Sequence, residues 1–112
     1  MTKYIELHKN PANYTHLKVE VYYSLGGMNY FTSKIEPRGY YISVTPVERS
    51  FTNGVATETV TAFTGIKECI KTVSRKSKKA EIEANNMASN KIDALIEYVC
   101  NKQNLKVFET VS

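Results

Sequence analysis

The sequence predicts an α+β domain, an antiparallel four-stranded β-meander followed by C-terminal helices packed on one face, and three observations predict it. Between residues 17 and 63, the turn signals Gly26-Gly27, Glu36-Pro37-Arg38-Gly39 and Asn53-Gly54 separate four apolar segments of strand length. The first of these segments alternates apolar and polar residues strictly, with the period of two of a half-buried strand. Beyond Gly65 the apolar period lengthens to that of a helix, so strands come first and helices second, the order of an α+β domain. At 112 residues the chain can enclose one core but not two, and residues 1–112 are read as a single domain.

Residues 1–7 read as a short strand or extended arm, ended by the turn residues Asn10-Pro11-Ala12-Asn13. In 17–25, Leu17, Val19, Val21, Tyr23 and Leu25 point one way and Lys18, Glu20, Tyr22 and Ser24 the other. Gly26-Gly27 supplies a two-residue hairpin loop, and 28–33 is expected to return as the second strand. Glu36-Pro37-Arg38-Gly39 turns the chain into a third strand, 40–47, with Tyr40, Ile42 and Val44 on its apolar face and Tyr41, Ser43 and Thr45 on the other. Pro46 lacks a ladder donor, which puts the end of this strand at a sheet edge or bulge. Asn53-Gly54 is the strongest hairpin signal and leads into the fourth strand, 55–63, whose facing the sequence leaves open.

Ile66, Ile70 and Val73, with Cys69 between, recur at i, i+4 and i+7, as in a short amphipathic helix that turns Lys67, Glu68 and Lys71 outward. Ile82, Met87, Ile92, Leu95, Ile96 and Val99 continue a helical pattern to about Lys102. A straight helix over 78–102 would be ~37 Å long. Asn85-Asn86 and Ser89-Asn90 are poor interior residues, and Asn90 with Asp93 has the spacing of a capping box, so one bent helix is favoured over two. Residues 105–111 are available for a short terminal strand.

With 42% apolar and 23% charged residues the composition is that of an ordered globular chain. There is no run of 18 apolar residues, and Glu6 interrupts what would be the apolar stretch of a secretory signal. A cytoplasmic protein with no membrane partner is therefore expected. Cys69 and Cys100 belong to no Cys-x-x-Cys pattern and read as reduced, buried thiols.

Reaction chemistry is poorly supplied. Asp93 is the only aspartate, the glutamates are scattered among lysines, and His8 and His16 sit in no metal or nucleophile pattern. Gly26-Gly27 runs into Met28-Asn29-Tyr30-Phe31 and not into a helix, so it is no phosphate loop. No enzyme activity, cofactor or metal is expected. A Cys/His pairing assembled in space, Cys69 or Cys100 with His8 or His16, ranks last among the readings.

The stronger signal is aromatic and basic. Alternation places Tyr22 and Tyr41 on the outer face of the meander, with Lys18, Arg38 and Arg49 near them. A tyrosine ring gives a nucleobase a flat surface, worth ~1–3 kcal/mol per stacked base, and neighbouring cations meet phosphates. Cross-strand tyrosines also stabilise sheets with no ligand at all. A second cluster, Arg75, Lys76, Lys78 and Lys79 around Ser77, sits at a helix start, where cations oppose the macrodipole. Fifteen Lys and Arg against eleven Asp and Glu leave a net charge of +4, which favours a polyanion only if it is concentrated.

Tyr30-Phe31-Thr32-Ser33-Lys34, leading through Arg38-Gly39 into Tyr40-Tyr41-Ile42-Ser43-Val44, resembles a PUR or whirly-type repeat over residues 28–73. That resemblance implies single-stranded nucleic acid bound on a curved sheet. Those families carry several such units where this chain has one, so homodimerisation would be needed. The leading expectation is a small non-catalytic protein that binds single-stranded DNA or RNA through Lys18, Tyr22, Arg38, Tyr41, Arg49, Arg75, Lys76, Lys78 and Lys79. The rival is a protein-binding accessory factor, such as a phage or mobile-element inhibitor of a host enzyme, because tyrosine and arginine also dominate protein hot spots.

Overall fold

The strictly alternating segment after Leu17 does form a half-buried strand, and the sheet is assembled around it. In chain order the elements are β1 (Thr2–Glu6), β2 (His16–Ser24), β3 (Gly27–Asn29), β4 (Lys34–Glu36), β5 (Gly39–Thr52), β6 (Val55–Val60), β7 (Ile66–Thr72) and α1 (Lys78–Gln103). This architecture is that of a computed structural model, which describes residues 1–30, 32–60 and 64–108. Phe31, residues 61–63 of the expected fourth strand and residues 109–111 of the expected terminal strand lie outside the described residues.

The α+β class holds: an antiparallel sheet carries one C-terminal helix on one face. The sheet runs β1-β2-β5-β6, with β7 also paired to β5. Val19 faces Val44 and Val21 faces Ile42 across β2 and β5, and these residues with Leu17 and Tyr40 form the buried face. Asn53 (φ 54°) and Gly54 (φ 76°) make the two-residue turn between β5 and β6, with Thr52 opposite Val55.

The meander differs from expectation at its second strand. Gly26-Gly27 turns the chain out of the sheet, and Met28 pairs with Ile35 in a separate two-stranded ribbon, β3–β4. Both edges of β2 are already taken, by β1 and β5, which leaves no ladder for 28–33 to join. Residues 40–44 win that place because they bury Tyr40, Ile42 and Val44 on one face, which Met28-Asn29-Tyr30 cannot match. β5 also runs through Pro46 to Thr52. Pro46 falls between Val44, the last residue paired with β7, and Val47, the first paired with β6, so its missing N–H interrupts neither ladder.

Residues 66–72 are a strand, with Val73 directly after it, and not the expected helix. Ile66 and Glu68 face α1 in simple alternation; then the register slips by one between Tyr40 and Tyr41, leaving Ile70 as an extra residue. Ile70 enters the core while the next residue, Lys71, also reaches the helix and pairs with Glu83 at 2.8 Å. The slip brings Val73 to the same face. A bulged strand thus puts 66, 70 and 73 on one side, which is the spacing that imitates a helix.

α1 is one helix. Ser77 caps it, its Oγ accepting from the Ala80 N–H at 3.1 Å. Asn104 ends it in the left-handed region (φ 58°), and the Leu105 N–H returns to the Cys100 carbonyl at 2.9 Å. Its first half meets the sheet through Ala80, Ala84 and Ala88, four residues apart, and its second half through Leu95 and Val99. Ile82 and Met87, expected in the apolar stripe, are exposed, because small alanines let the helix approach where larger side chains would hold it off. After the helix, Val107 bridges Leu7 beyond the end of β1, with the His8 N–H on the Lys106 carbonyl at 2.8 Å.

If the alanines set this approach, Ala84→Leu will cost about 1–3 kcal/mol through overpacking, while Ala94→Leu, on the exposed side of α1, stays within ~0.5 kcal/mol of the parent. Chemical denaturation of the two variants checks this, and equal stability would contradict it.

Candidate nucleic-acid interface

Register divides the sheet's residues between a helix side and an outer side. Tyr4, Lys18, Tyr22, Tyr41, Arg49 and Lys67 share the outer side, since Tyr4 lies opposite Lys18, Tyr22 opposite Tyr41 and Ser43 opposite Lys67. α1 packs on the other face, so Tyr22 and Tyr41 lie where alternation places them, away from the helix.

Tyr41, however, is only 3% exposed. Tyr22 stacks on it with ring centroids 5.9 Å apart, the Tyr41 hydroxyl donates to the Pro37 carbonyl at 2.6 Å, and the Lys67 ammonium lies 5.8 Å from the Tyr41 ring centre. Lys67 in turn pairs with Glu36 of β4 at 2.9 Å. Burial pushes the Tyr41 phenol up to about 12 and raises Tyr22 as well. Sheet-face stacking of the PUR or whirly kind needs open rings; Tyr41 instead anchors the stem of the ribbon, and half-buried Tyr22 is what remains open.

Lys18 and Arg49 lie towards the far end of β5. Tyr4 Oη donates to Glu58 Oε2 at 2.7 Å, and Lys18 Nζ pairs with Glu58 Oε1 at 3.0 Å. The Tyr4 hydrogen bond, helped by Lys18, holds the Glu58 carboxyl below the usual carboxylate range, and the same carboxylate raises the Lys18 ammonium. The Arg49 guanidinium lies 3.8 Å from the centre of the Tyr4 ring and 5.6 Å from that of Phe51. Glu58 was legible in advance: a two-residue turn at 53–54 fixes Arg49 opposite residue 58.

The remaining cations gather at the opposite end. Arg38 Nε donates to the Leu25 carbonyl at 3.2 Å, and the Arg38 carbonyl accepts from the Val73 N–H, two residues before Arg75. Arg75, Lys76, Lys78 and Lys79 are exposed in the turn that enters α1. Tyr23 and Tyr40 brace that turn from the helix side, donating to the Ser74 and Ser77 carbonyls at 3.4 and 3.2 Å. Eleven residues of extended chain, roughly 37 Å at ~3.4 Å each, separate Arg38 from Arg49. The seven cations among the nine sequence-selected residues therefore form two groups, Lys18 and Arg49 beside Glu58 and Tyr4, and an exposed basic set of Arg38, Arg75, Lys76, Lys78 and Lys79, while Tyr22 and Tyr41 stack on each other.

Residues 52–112 match the sequence model of the Ribosomal protein L7Ae/L30e/S12e/Gadd45 family. The chain belongs to that family. The matched segment starts at the last residue of β5 and takes in β6, β7, the basic turn and α1, while β1 to β4 and the ribbon lie before it. No curated protein and no solved structure matches the chain. Among the described residues, no three His, Cys, Asp or Glu side chains are placed to hold a metal ion, and no helix is long and apolar enough to cross a membrane. Cys69 and Cys100 are free and half-buried, and burial raises the Cys100 thiol.

A phenol whose folded pKa is raised stabilises the fold fully below its unfolded value near 10, and that contribution is lost as pH rises towards about 12. The melting temperature of the parent should thus fall more steeply above about pH 10 than that of Tyr41→Phe. Parallel curves would show that the enclosed hydroxyl has no such role.

Proposed function

We propose that this protein is a non-catalytic RNA-binding protein whose phosphate contacts come from Arg38, Arg75, Lys76, Lys78 and Lys79. The observation that carries the reading is the family match, to a family of ribosomal proteins, over a segment that contains the basic turn. Ribosomal proteins work against RNA, which favours RNA over DNA. The turn itself adds physical support. Four exposed cations within five residues repel one another and oppose the positive end of α1, with Glu81 the acidic residue of the first helical turn, so folding does not account for them. A polyanion laid across the turn relieves that repulsion and releases its own counterions. Tyr22 stands beside this end as a half-open ring, whereas Lys18 and Arg49, tied to Glu58 and Tyr4, add less.

Binding to a single-stranded RNA oligonucleotide should weaken steeply as salt rises, the log–log slope losing about 0.7 for each phosphate contact removed. Replacing Arg75, Lys76, Lys78 and Lys79 together by Gln is expected to flatten the slope and to weaken binding equally across sequences. Fluorescence anisotropy over a salt series measures both. Binding by the parent that ignores salt, or a fourfold variant indistinguishable from it, would sink the reading.

A further inference from the structure

We infer that the β3–β4 ribbon is a base-contacting arm, whose exposed apolar side chains take unpaired RNA bases while the adjoining basic turn holds the phosphates. The inference rests on the RNA-binding reading above and concerns residues outside the family-matched segment.

Met28 and Ile35 sit directly opposite each other on the ribbon, so their side chains share one face, and they are 50% and 78% exposed. Tyr30, one residue beyond the β3 end, is 89% exposed, and Leu25 is exposed at the stem. Single exposed apolar residues are ordinary, but a set gathered on one short excursion marks a contact surface. Among the described residues, none of these side chains makes a hydrogen bond that holds the ribbon in place. Its stem is fixed by other groups: Asn29 Nδ2 donates to Glu36 at 2.9 Å, Lys67 pairs with Glu36, Tyr41 donates to the Pro37 carbonyl and Arg38 to the Leu25 carbonyl. An isolated two-stranded ribbon is marginal in water, so these ties to the sheet are what keep it extended.

Charge selects the occupant. Glu36 is the one carboxylate in residues 25–38, and it is already met by Lys67 and Asn29. Lys34 and Arg38 are exposed on the same excursion, and the Val73–Arg38 hydrogen bond joins its stem to the Arg75–Lys79 turn. An apolar face beside six exposed cations, Lys34, Arg38, Arg75, Lys76, Lys78 and Lys79, none of them in an ion pair among the described residues, fits a ligand with flat rings and a regular row of negative charges. Single-stranded RNA has both, and unpairing is required because a duplex keeps its bases stacked on one another.

The test uses the full chain and an RNA hairpin carrying one 2-aminopurine in its loop, read by anisotropy and by the fluorescence of that base. Tyr30→Ser should weaken binding about five- to a hundredfold, as loss of one stacked base does, leave the salt slope unchanged and abolish the quenching of 2-aminopurine. Tyr30→Phe should keep both signals, and Met28→Ser with Ile35→Ser should weaken binding without changing the melting temperature. If these variants bind like the parent while the basic-turn variant does not, the ribbon inference falls and the RNA-binding reading stands. If the parent fails to bind at all, that reading falls first. A protein partner retained from lysate after nuclease treatment and lost on Tyr30→Ser would overturn the inference in favour of a protein-docking ribbon.

Discussion

The structure depends on β5. Every strand of the main sheet except β1 pairs with it directly, and α1 packs on the face formed by its Tyr40, Ile42 and Val44. One edge is given to β2 over residues 39–47; the other is shared by β7 over 39–44 and β6 over 47–52. Such an arrangement pairs the first half of a 14-residue strand on both edges and its second half on one, and it puts proline, which has no donor to offer, between the β7 and β6 ladders. Extending one strand past its neighbour in this way lets a short chain build a broad sheet with a single helix behind it.

The outer face follows from that pairing. Because β2 and β7 flank β5 at its first half, Tyr41 has Tyr22 on one side and Cys69 on the other, and the ribbon stem closes over it. Towards the second half, Tyr4, Lys18, Arg49 and Glu58 satisfy one another. What stays open is the end of the sheet where β5 starts and β7 finishes, and the ribbon and the basic turn both leave from there. The two features are neighbours in space although some forty residues of sequence lie between Lys34 and Arg75.

Much of the sheet was legible because local chemistry and burial agree there. Leu17 to Tyr23 alternate, Asn53-Gly54 makes the expected turn, and Tyr40, Ile42 and Val44 are buried. The failures have physical causes of their own. Gly26-Gly27 carries the right residues for a hairpin, but pairing is decided by which segment buries more on both faces, a comparison across the chain. Ile66, Ile70 and Val73 imitate a helix because one extra residue restores their common side. Ala80, Ala84 and Ala88 were overlooked in favour of Ile82 and Met87, since side-chain size misleads where close approach is what packing rewards. The outward placement of Tyr22 and Tyr41 was readable from alternation, whereas their enclosure was not, because the covering group comes from the ribbon.

The extra residue in β7 also acts as a key. A regular strand can slide along its neighbour by two residues and still show the same side to the core. Here such a slide would carry the irregularity away from Tyr40, and Ile70, Lys71 and Val73 could no longer reach the helix side together. The chain has one seat for this strand, and the helix that follows inherits its position. An insertion or deletion of one residue in 66–73 would therefore be felt as a misplaced helix and basic turn, far more than as a weakened edge.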